Sequence, residues 1–231
     1  MKLAAVLFDV TGTLIELAEG VGVTYARVAA RHGVSVSAGR VQAAFGHAMR
    51  QATPCVFPGL GPGEIPGAER DWWRDRVRET LEASDEGTIF SDFEAFFREV
   101  FDFYAGAEAW RLRPGIPEAL RATRRAGLRM GVISNFDHRL PEVLQALDIQ
   151  VFMEIIAFPA RCGSAKPDPA LFEGALAELR LSPGECAYVG HDPVLDLAPA
   201  RAAGLRTLEV DPGPHSQPLS ARIEGIAKLP S

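Results

Sequence analysis

Cysteine, clustered positive charge and long apolar runs are all scarce in this chain of 231 residues. Its three cysteines, Cys55, Cys162 and Cys186, are widely spaced and indicate neither a disulfide framework nor a zinc site. Lys and Arg number 24 against 30 Asp and Glu, too few cations for an electrostatic grip on nucleic acid or an anionic membrane. No apolar run approaches the roughly 20 residues of a membrane helix. We therefore expect a cytoplasmic protein whose partner is a small molecule, with neither nucleic acid nor membrane as a partner.

Five short apolar segments predict strands that are buried on both faces of a parallel sheet. They lie at 3–8, 128–133, 154–157, 186–190 and 206–210. From about residue 115 to 211 the strands alternate with helical segments, which begin near Pro117, Pro169 and Pro193. This alternation predicts a right-handed α/β fold with a Rossmann-like parallel sheet, whose ligands bind at the carboxyl ends of the strands.

The stretch between the first strand and this alternation shows no convincing strands. Helices are predicted there at 24–31, 39–51, 72–83 and 92–104, with a loop rich in Pro and Gly at 56–67. We therefore predict an α/β core of residues 1–15 and 109–231 and an inserted all-helical cap of residues 16–108. A short helix is also expected in the tail, at 221–228.

Polar residues that could take part in catalysis or binding lie where the predicted strands end. Asp9 follows the first strand and precedes Val10-Thr11-Gly12-Thr13-Leu14, a turn whose backbone amides could hold an anion. Ser134 and Asn135 follow the strand that ends at Ile133. Further along the chain come Lys166, in Lys166-Pro167-Asp168-Pro169, and the segment from His191 to Asp196.

In this order the four segments resemble the four motifs of the haloacid dehalogenase (HAD) superfamily, and the resemblance covers essentially the whole chain. It implies a hydrolase in which Asp9 is the nucleophile, forming an ester that water then hydrolyses, with Ser134 and Lys166 as catalytic partners. The substrate class implied is a small phosphorylated metabolite, which makes the protein a phosphatase. The implied phosphate-binding residues are Thr11, Gly12, Thr13, Ser134, Asn135 and Lys166. The implied cofactor is Mg²⁺, with Mn²⁺ as an alternative, held by Asp9, Thr11, Asp192 and Asp196.

Two positions depart from the superfamily pattern. Thr11 stands where most of its phosphatases have an aspartate that acts as general acid and base, a role that threonine cannot take at neutral pH. His191 stands where the first aspartate of the fourth motif is usual, and imidazole is a poor ligand for Mg²⁺. Either Asp192 alone contacts the metal, or the site prefers a transition metal such as Mn²⁺, or no metal binds; a His191 side chain that points to solvent is the further alternative.

These departures keep two other functions open. A metal-independent 2-haloacid dehalogenase would use the same nucleophile to release halide. A catalytically degenerate member would bind a phosphorylated ligand without turning it over. The sequence does not decide the oligomeric state.

Overall fold

The structure is a computed structural model that describes residues 2–85, 89–211 and 217–227. The chain divides into two compact units, one of Met1–Glu16 with Leu112–Ser231 and one of Leu17–Arg111. We call the first the α/β unit and the second the helical insertion. Among the described residues, no helix combines the length and the apolar character needed to cross a membrane.

Short strands and helices succeed one another along the chain. The strands are β1 (Ala5–Phe8), β2 (Ile15–Leu17), β3 (Trp110–Leu112), β4 (Arg129–Ile133), β5 (Ile155–Ala157), β6 (Cys186–Gly190) and β7 (Arg206–Glu209). The α-helices are α1 (Val21–Arg31), α2 (Ala38–Gln51), α3 (Ile65–Ser84), α4 (Phe93–Phe103), α5 (Ile116–Arg125), α6 (Leu140–Ala146), α7 (Pro159–Cys162), α8 (Pro169–Leu179), α9 (Ala198–Ala202) and α10 (Leu219–Ala227).

The sheet of the α/β unit is parallel, with strand order β5-β4-β1-β6-β7. β1 lies at its centre, and its four residues are fully buried, as expected of a strand covered by helices on both faces. Phe8 pairs with Val132 of β4 and with Val189 of β6, so the three strands end at one edge. The predicted α/β fold with a Rossmann-like parallel sheet is thereby confirmed.

Three details of the elements differ from the prediction. Helix α3 begins at Ile65 and not at residue 72, because Pro66 suits a first helical turn and Gly67 is tolerated behind it. The loop predicted at 56–67 is correspondingly shorter. β2 and β3, of three residues each, form a two-stranded sheet and were not predicted. Helix α10 covers most of the helix predicted at 221–228, of which residue 228 lies outside the described residues.

Each unit has an apolar core of its own. In the α/β unit, residues of β1, β4, β5 and β6 pack against α8, and the ring of Phe172 meets that of Tyr188 edge-on at 5.2 Å. In the helical insertion, α1 to α4 enclose aromatic side chains such as Tyr25 and Phe96. All the residues of the predicted site lie in the α/β unit.

Candidate active site

Asp9 is the first residue beyond β1, and only 4% of its surface is exposed. Its backbone N–H donates to the carbonyl oxygen of Val189 at 2.8 Å, which extends the pairing of β1 with β6. The chain then turns tightly: the N–H of Gly12 donates to Ile15, and that of Thr13 donates to Val10. These two donors, predicted to face an anion, are therefore used within the turn. The side chain of Thr11, the predicted departure, is exposed.

Lys166 joins two buried carboxylates. Its Nζ lies 2.7 Å from Oδ1 of Asp9 and 2.6 Å from Oδ1 of Asp196, with 5% of the residue exposed. Burial alone would lower the pKa of this ammonium, but the charges of Asp9 and Asp196 outweigh it and raise the pKa above its usual value. The structure thus brings together three residues that lie far apart in the sequence.

The second predicted motif supports this lysine. Asn135 donates from Nδ2 to the carbonyl oxygen of Lys166 at 2.9 Å, and its Oδ1 accepts the Lys166 N–H at 2.7 Å. Its amide, predicted to bind phosphate, therefore holds the backbone of Lys166. Ser134 is buried at the end of β4, and its Oγ accepts the N–H of Phe136 at 3.2 Å.

Tyr188 was not predicted as a site residue, yet it lies at the centre of the site. Its hydroxyl lies 3.1 Å from Oδ1 of Asp196, 3.2 Å from the carbonyl oxygen of Ile133 and 3.2 Å from Nζ of Lys166. Burial, together with the nearby carboxylates, raises the pKa of this phenol well above its usual value. A tyrosine inside an otherwise apolar strand was the available signal, because a buried hydroxyl needs a partner.

His191 turns its ring toward the carboxylates and not away from them. Nδ1 lies 3.2 Å from Oδ2 of Asp9 and 3.3 Å from Oδ2 of Asp196. Hydrogen bonding to Asp196 and then to Asp9 raises the pKa of the imidazole to about 9. Although burial opposes it, the hydrogen bond from His191 and the charge of Lys166 hold the pKa of Asp196 well below its usual range.

Asp192 lies beside this group but uses its carboxylate elsewhere. Oδ1 of Asp192 accepts the N–H groups of Val194 at 2.7 Å and Leu195 at 2.8 Å, which caps the π-helical turn Pro193–Leu197. Thr11, the other predicted metal ligand of the turn, pairs with Ile15 in a single bridge.

Three residues offer metal ligands in close proximity: atoms of Asp9, His191 and Asp196 lie within 4.8 Å of one another. The His191 ring, however, lies between the Oδ2 atoms of Asp9 and Asp196. Lys166 lies against the Oδ1 atoms of the same two residues. All four carboxylate oxygens thus already have an N–H donor. Mg²⁺ requires oxygen ligands in a nearly octahedral shell, so the residues as placed do not fit this ion.

An open cavity of about 360 Å³ adjoins His191. Its other lining residues are Gly12, Glu16, Arg113, Glu209, Val210 and Asp211. Arg113 donates hydrogen bonds to the carbonyl oxygen of Gly12 and to Asp211, and no sequence pattern pointed to this role. The volume falls within the range of small-molecule sites.

Known proteins are similar to this chain in both sequence and fold. Residues 3–204 match a family of hydrolases described as haloacid dehalogenase-like hydrolase. A Xenopus laevis protein, haloacid dehalogenase-like hydrolase domain-containing protein 3, is 31% identical over 215 residues, which is 92% of this chain and 86% of that protein.

Solved structures add the same architecture at lower identity. A defluorinating L-2-haloacid dehalogenase is similar with a TM-score of 0.71 and 23% identity, over 94% of this chain and 86% of that one. A HAD phosphatase from Thermococcus onnurineus is similar with a TM-score of 0.62 and 17% identity, over 93% and 89%. The fold is therefore common to a dehalogenase and a phosphatase.

Proposed function

This chain belongs to the haloacid dehalogenase-like hydrolases, and from that premise we propose that it is a phosphatase that hydrolyses a small phosphorylated metabolite through Asp9. The observation that carries the proposal is the contact of Lys166 with Asp9 at 2.7 Å. A buried ammonium beside a carboxylate offsets the repulsion between that carboxylate and an approaching phosphate, and it stabilises charge as it develops during transfer.

The reaction has two displacement steps. In the first, a carboxylate oxygen of Asp9 bonds to phosphorus while the bond from phosphorus to the substrate's alcohol oxygen breaks, and that alkoxide takes a proton from water. In the second, water attacks phosphorus, the bond to Asp9 breaks and inorganic phosphate leaves with the protons of the water. Lys166 stabilises Asp9 as leaving group, and Asn135 keeps the lysine in position.

We expect a slow reaction because Thr11 stands at the position of the usual general acid and base. General acid–base assistance typically contributes about 10²–10⁴ in rate, and a threonine at this position supplies none. Both protonation of the leaving alcohol and activation of water then depend on solvent. Low turnover of ordinary phosphomonoesters is the expected result.

Asp9→Asn is the direct test of the proposal. Against a panel of phosphomonoesters, assayed with Mg²⁺, with Mn²⁺ and with EDTA because the family resemblance implies Mg²⁺ or Mn²⁺ as cofactor, we expect phosphate release to fall by at least about 10³. Asp148→Asn is the matched control: Asp148 is exposed and has φ 57°, a conformation that asparagine tolerates. Equal phosphate release by the wild type and Asp9→Asn would refute the proposal.

A 2-haloacid dehalogenase is the second candidate, favoured by the N–H donors that already satisfy the Asp9 and Asp196 carboxylates. There the Asp9 oxygen would attack the carbon that carries the halogen, halide would leave, and water would cleave the resulting ester. Halide release from 2-haloacids in EDTA, without phosphatase activity, would favour this reaction. Ligand protection in thermal melts without product from either substrate class would indicate a binding protein.

A further inference from the structure

The His191 ring lies at the point where the two acidic side chains of the site converge. Nδ1 has three oxygen neighbours: Oδ2 of Asp9 at 3.2 Å, Oδ2 of Asp196 at 3.3 Å and Oγ1 of Thr13 at 3.3 Å. We propose that His191 takes the place of a divalent metal ion between Asp9 and Asp196, so that hydrolysis needs no added metal. The inference rests on the proposed role of Asp9 and adds the residue that replaces its cofactor.

The backbone on both sides of the ring is shaped to receive it. Gly12 has φ +85°, and a Cβ there would lie 2.7 Å from Cε1 and Nε2 of His191. Any larger residue at Gly12 would therefore meet the imidazole. On the other side the N–H of His191 itself donates to Oδ2 of Asp196 at 3.1 Å, which fixes the residue that carries the ring.

The two acidic side chains are held together by residues of the chain itself. Nζ of Lys166 lies 2.7 Å from Oδ1 of Asp9 and 2.6 Å from Oδ1 of Asp196. The His191 ring lies against the other oxygen of each, with Nδ1 at 3.2 Å from Oδ2 of Asp9 and 3.3 Å from Oδ2 of Asp196. A divalent ion bound between these Oδ2 atoms would have to displace the ring, and it would approach the Lys166 ammonium, which costs Coulomb energy in a partly buried site.

The experiment compares wild type, His191→Asp and His191→Asn after removal of metal by EDTA. Mg²⁺ and Mn²⁺ are titrated into each protein in a calorimeter, and phosphomonoester hydrolysis is measured with and without each metal. We expect the wild type to show no saturable heat and to keep its rate within about twofold in EDTA, because its own residues supply the charge. His191→Asp should gain saturable binding of Mg²⁺, a thermal midpoint that rises with its concentration, and metal-dependent hydrolysis.

His191→Asn removes the ring that lies between the two Oδ2 atoms without adding a carboxylate. It should lose roughly 100-fold or more in rate, as expected when one preorganised electrostatic contact is removed, and neither metal should restore it. Saturable Mg²⁺ or Mn²⁺ binding by the wild type, or a loss of its activity in EDTA that either metal reverses, would overturn the inference. If no phosphomonoester is hydrolysed, the proposed function fails, and the calorimetric comparison still decides the role of His191.

Discussion

The carboxylates of Asp9 and Asp196 are held by donors from two separate segments of the chain. Lys166 approaches one oxygen of each, and His191 approaches the other. Because every oxygen has a donor, the cost of burying the two carboxyl groups is offset. These donors therefore fix the orientation of both side chains.

This arrangement predicts a specific pH dependence of stability. The pKa of His191 rises from 6.5 to about 9 on folding, so the protonated ring stabilises the folded state. The contribution is complete below pH 6.5 and is lost as pH rises through about 9. The difference in free energy of unfolding between wild type and His191→Asn should therefore shrink over this range, as measured by urea denaturation at several pH values.

His47→Asn provides the comparison, since His47 is an exposed histidine of α2 in the helical insertion. A difference between wild type and His191→Asn that stays constant from pH 6 to 10 would show that the ring stabilises the fold by packing alone. A growing difference would contradict the sign derived from the raised pKa.

Residue identity and motif order predict which residues form this site better than they predict the hydrogen bonds between them. The order of the motifs indicated that Asp9, Lys166 and Asp196 would meet at one sheet edge, and they do. The partners of Asn135 and Asp192 could not be predicted, because a short polar side chain bonds whichever backbone groups the local turn presents. Tyr188 was not predicted as a site residue because its strand has the sequence of an ordinary buried apolar strand.

Among the elements, the π-helical turn Pro193–Leu197 depends on its first residue. Asp192 accepts two N–H groups there, and its own N–H donates to Oδ2 of Asp196 at 3.0 Å. The same turn brings Asp196 close to Gly190. A Cβ atom added at Gly190 would lie 2.6 Å from the Cβ atom of Asp196. A change at the cap therefore also affects the position of Asp196.

Asp192→Ala should lower the free energy of unfolding by about 1 kcal/mol, the usual effect of losing an N-cap. Asp192→Asn keeps an acceptor oxygen and should lose much less, because asparagine is an equally good cap. Urea denaturation of both variants measures the effect. A loss of metal binding in both variants at unchanged stability would instead make Asp192 a metal ligand, as the family resemblance implied.

Periodicity and proline placed most elements within a few residues of their observed bounds. The larger error, at the start of α3, arose because Pro66 and Gly67 were interpreted as loop residues, although both occur within a helical turn. β2 and β3 were missed because three residues are too few to show an alternation.

At the scale of the whole molecule, the helical insertion has the attributes of an independent folding unit. Its ends meet, since the N–H of Ala18 donates to the carbonyl oxygen of Ala109 at 2.9 Å. Its core is built from its own residues, with Phe96 fully buried against Tyr25. A single connection on each side thus joins two separately stabilised cores.

Residues 17–111 expressed alone should give a helical circular dichroism spectrum and one cooperative thermal transition. Phe96→Ala in this fragment should abolish the transition, because truncating a buried phenylalanine costs about 3–5 kcal/mol, comparable to the whole stability of a small domain. Arg40→Ala, an exposed change on α2, is the control. A spectrum typical of an unfolded chain for the wild-type fragment would show that its core needs the rest of the protein.

The central position of β1 also has a consequence for how the protein is made. β1 leaves the ribosome well before its two neighbours, β4 and β6. At roughly 5–20 residues per second, β6 is completed roughly ten to forty seconds after β1. Both edges of this entirely apolar strand lack a partner until β4 is made, and one edge lacks a partner until β6 is made, and an unpaired apolar strand edge is prone to aggregate. The same topology that places Asp9 in the middle of the site therefore delays the pairing of β1 during synthesis.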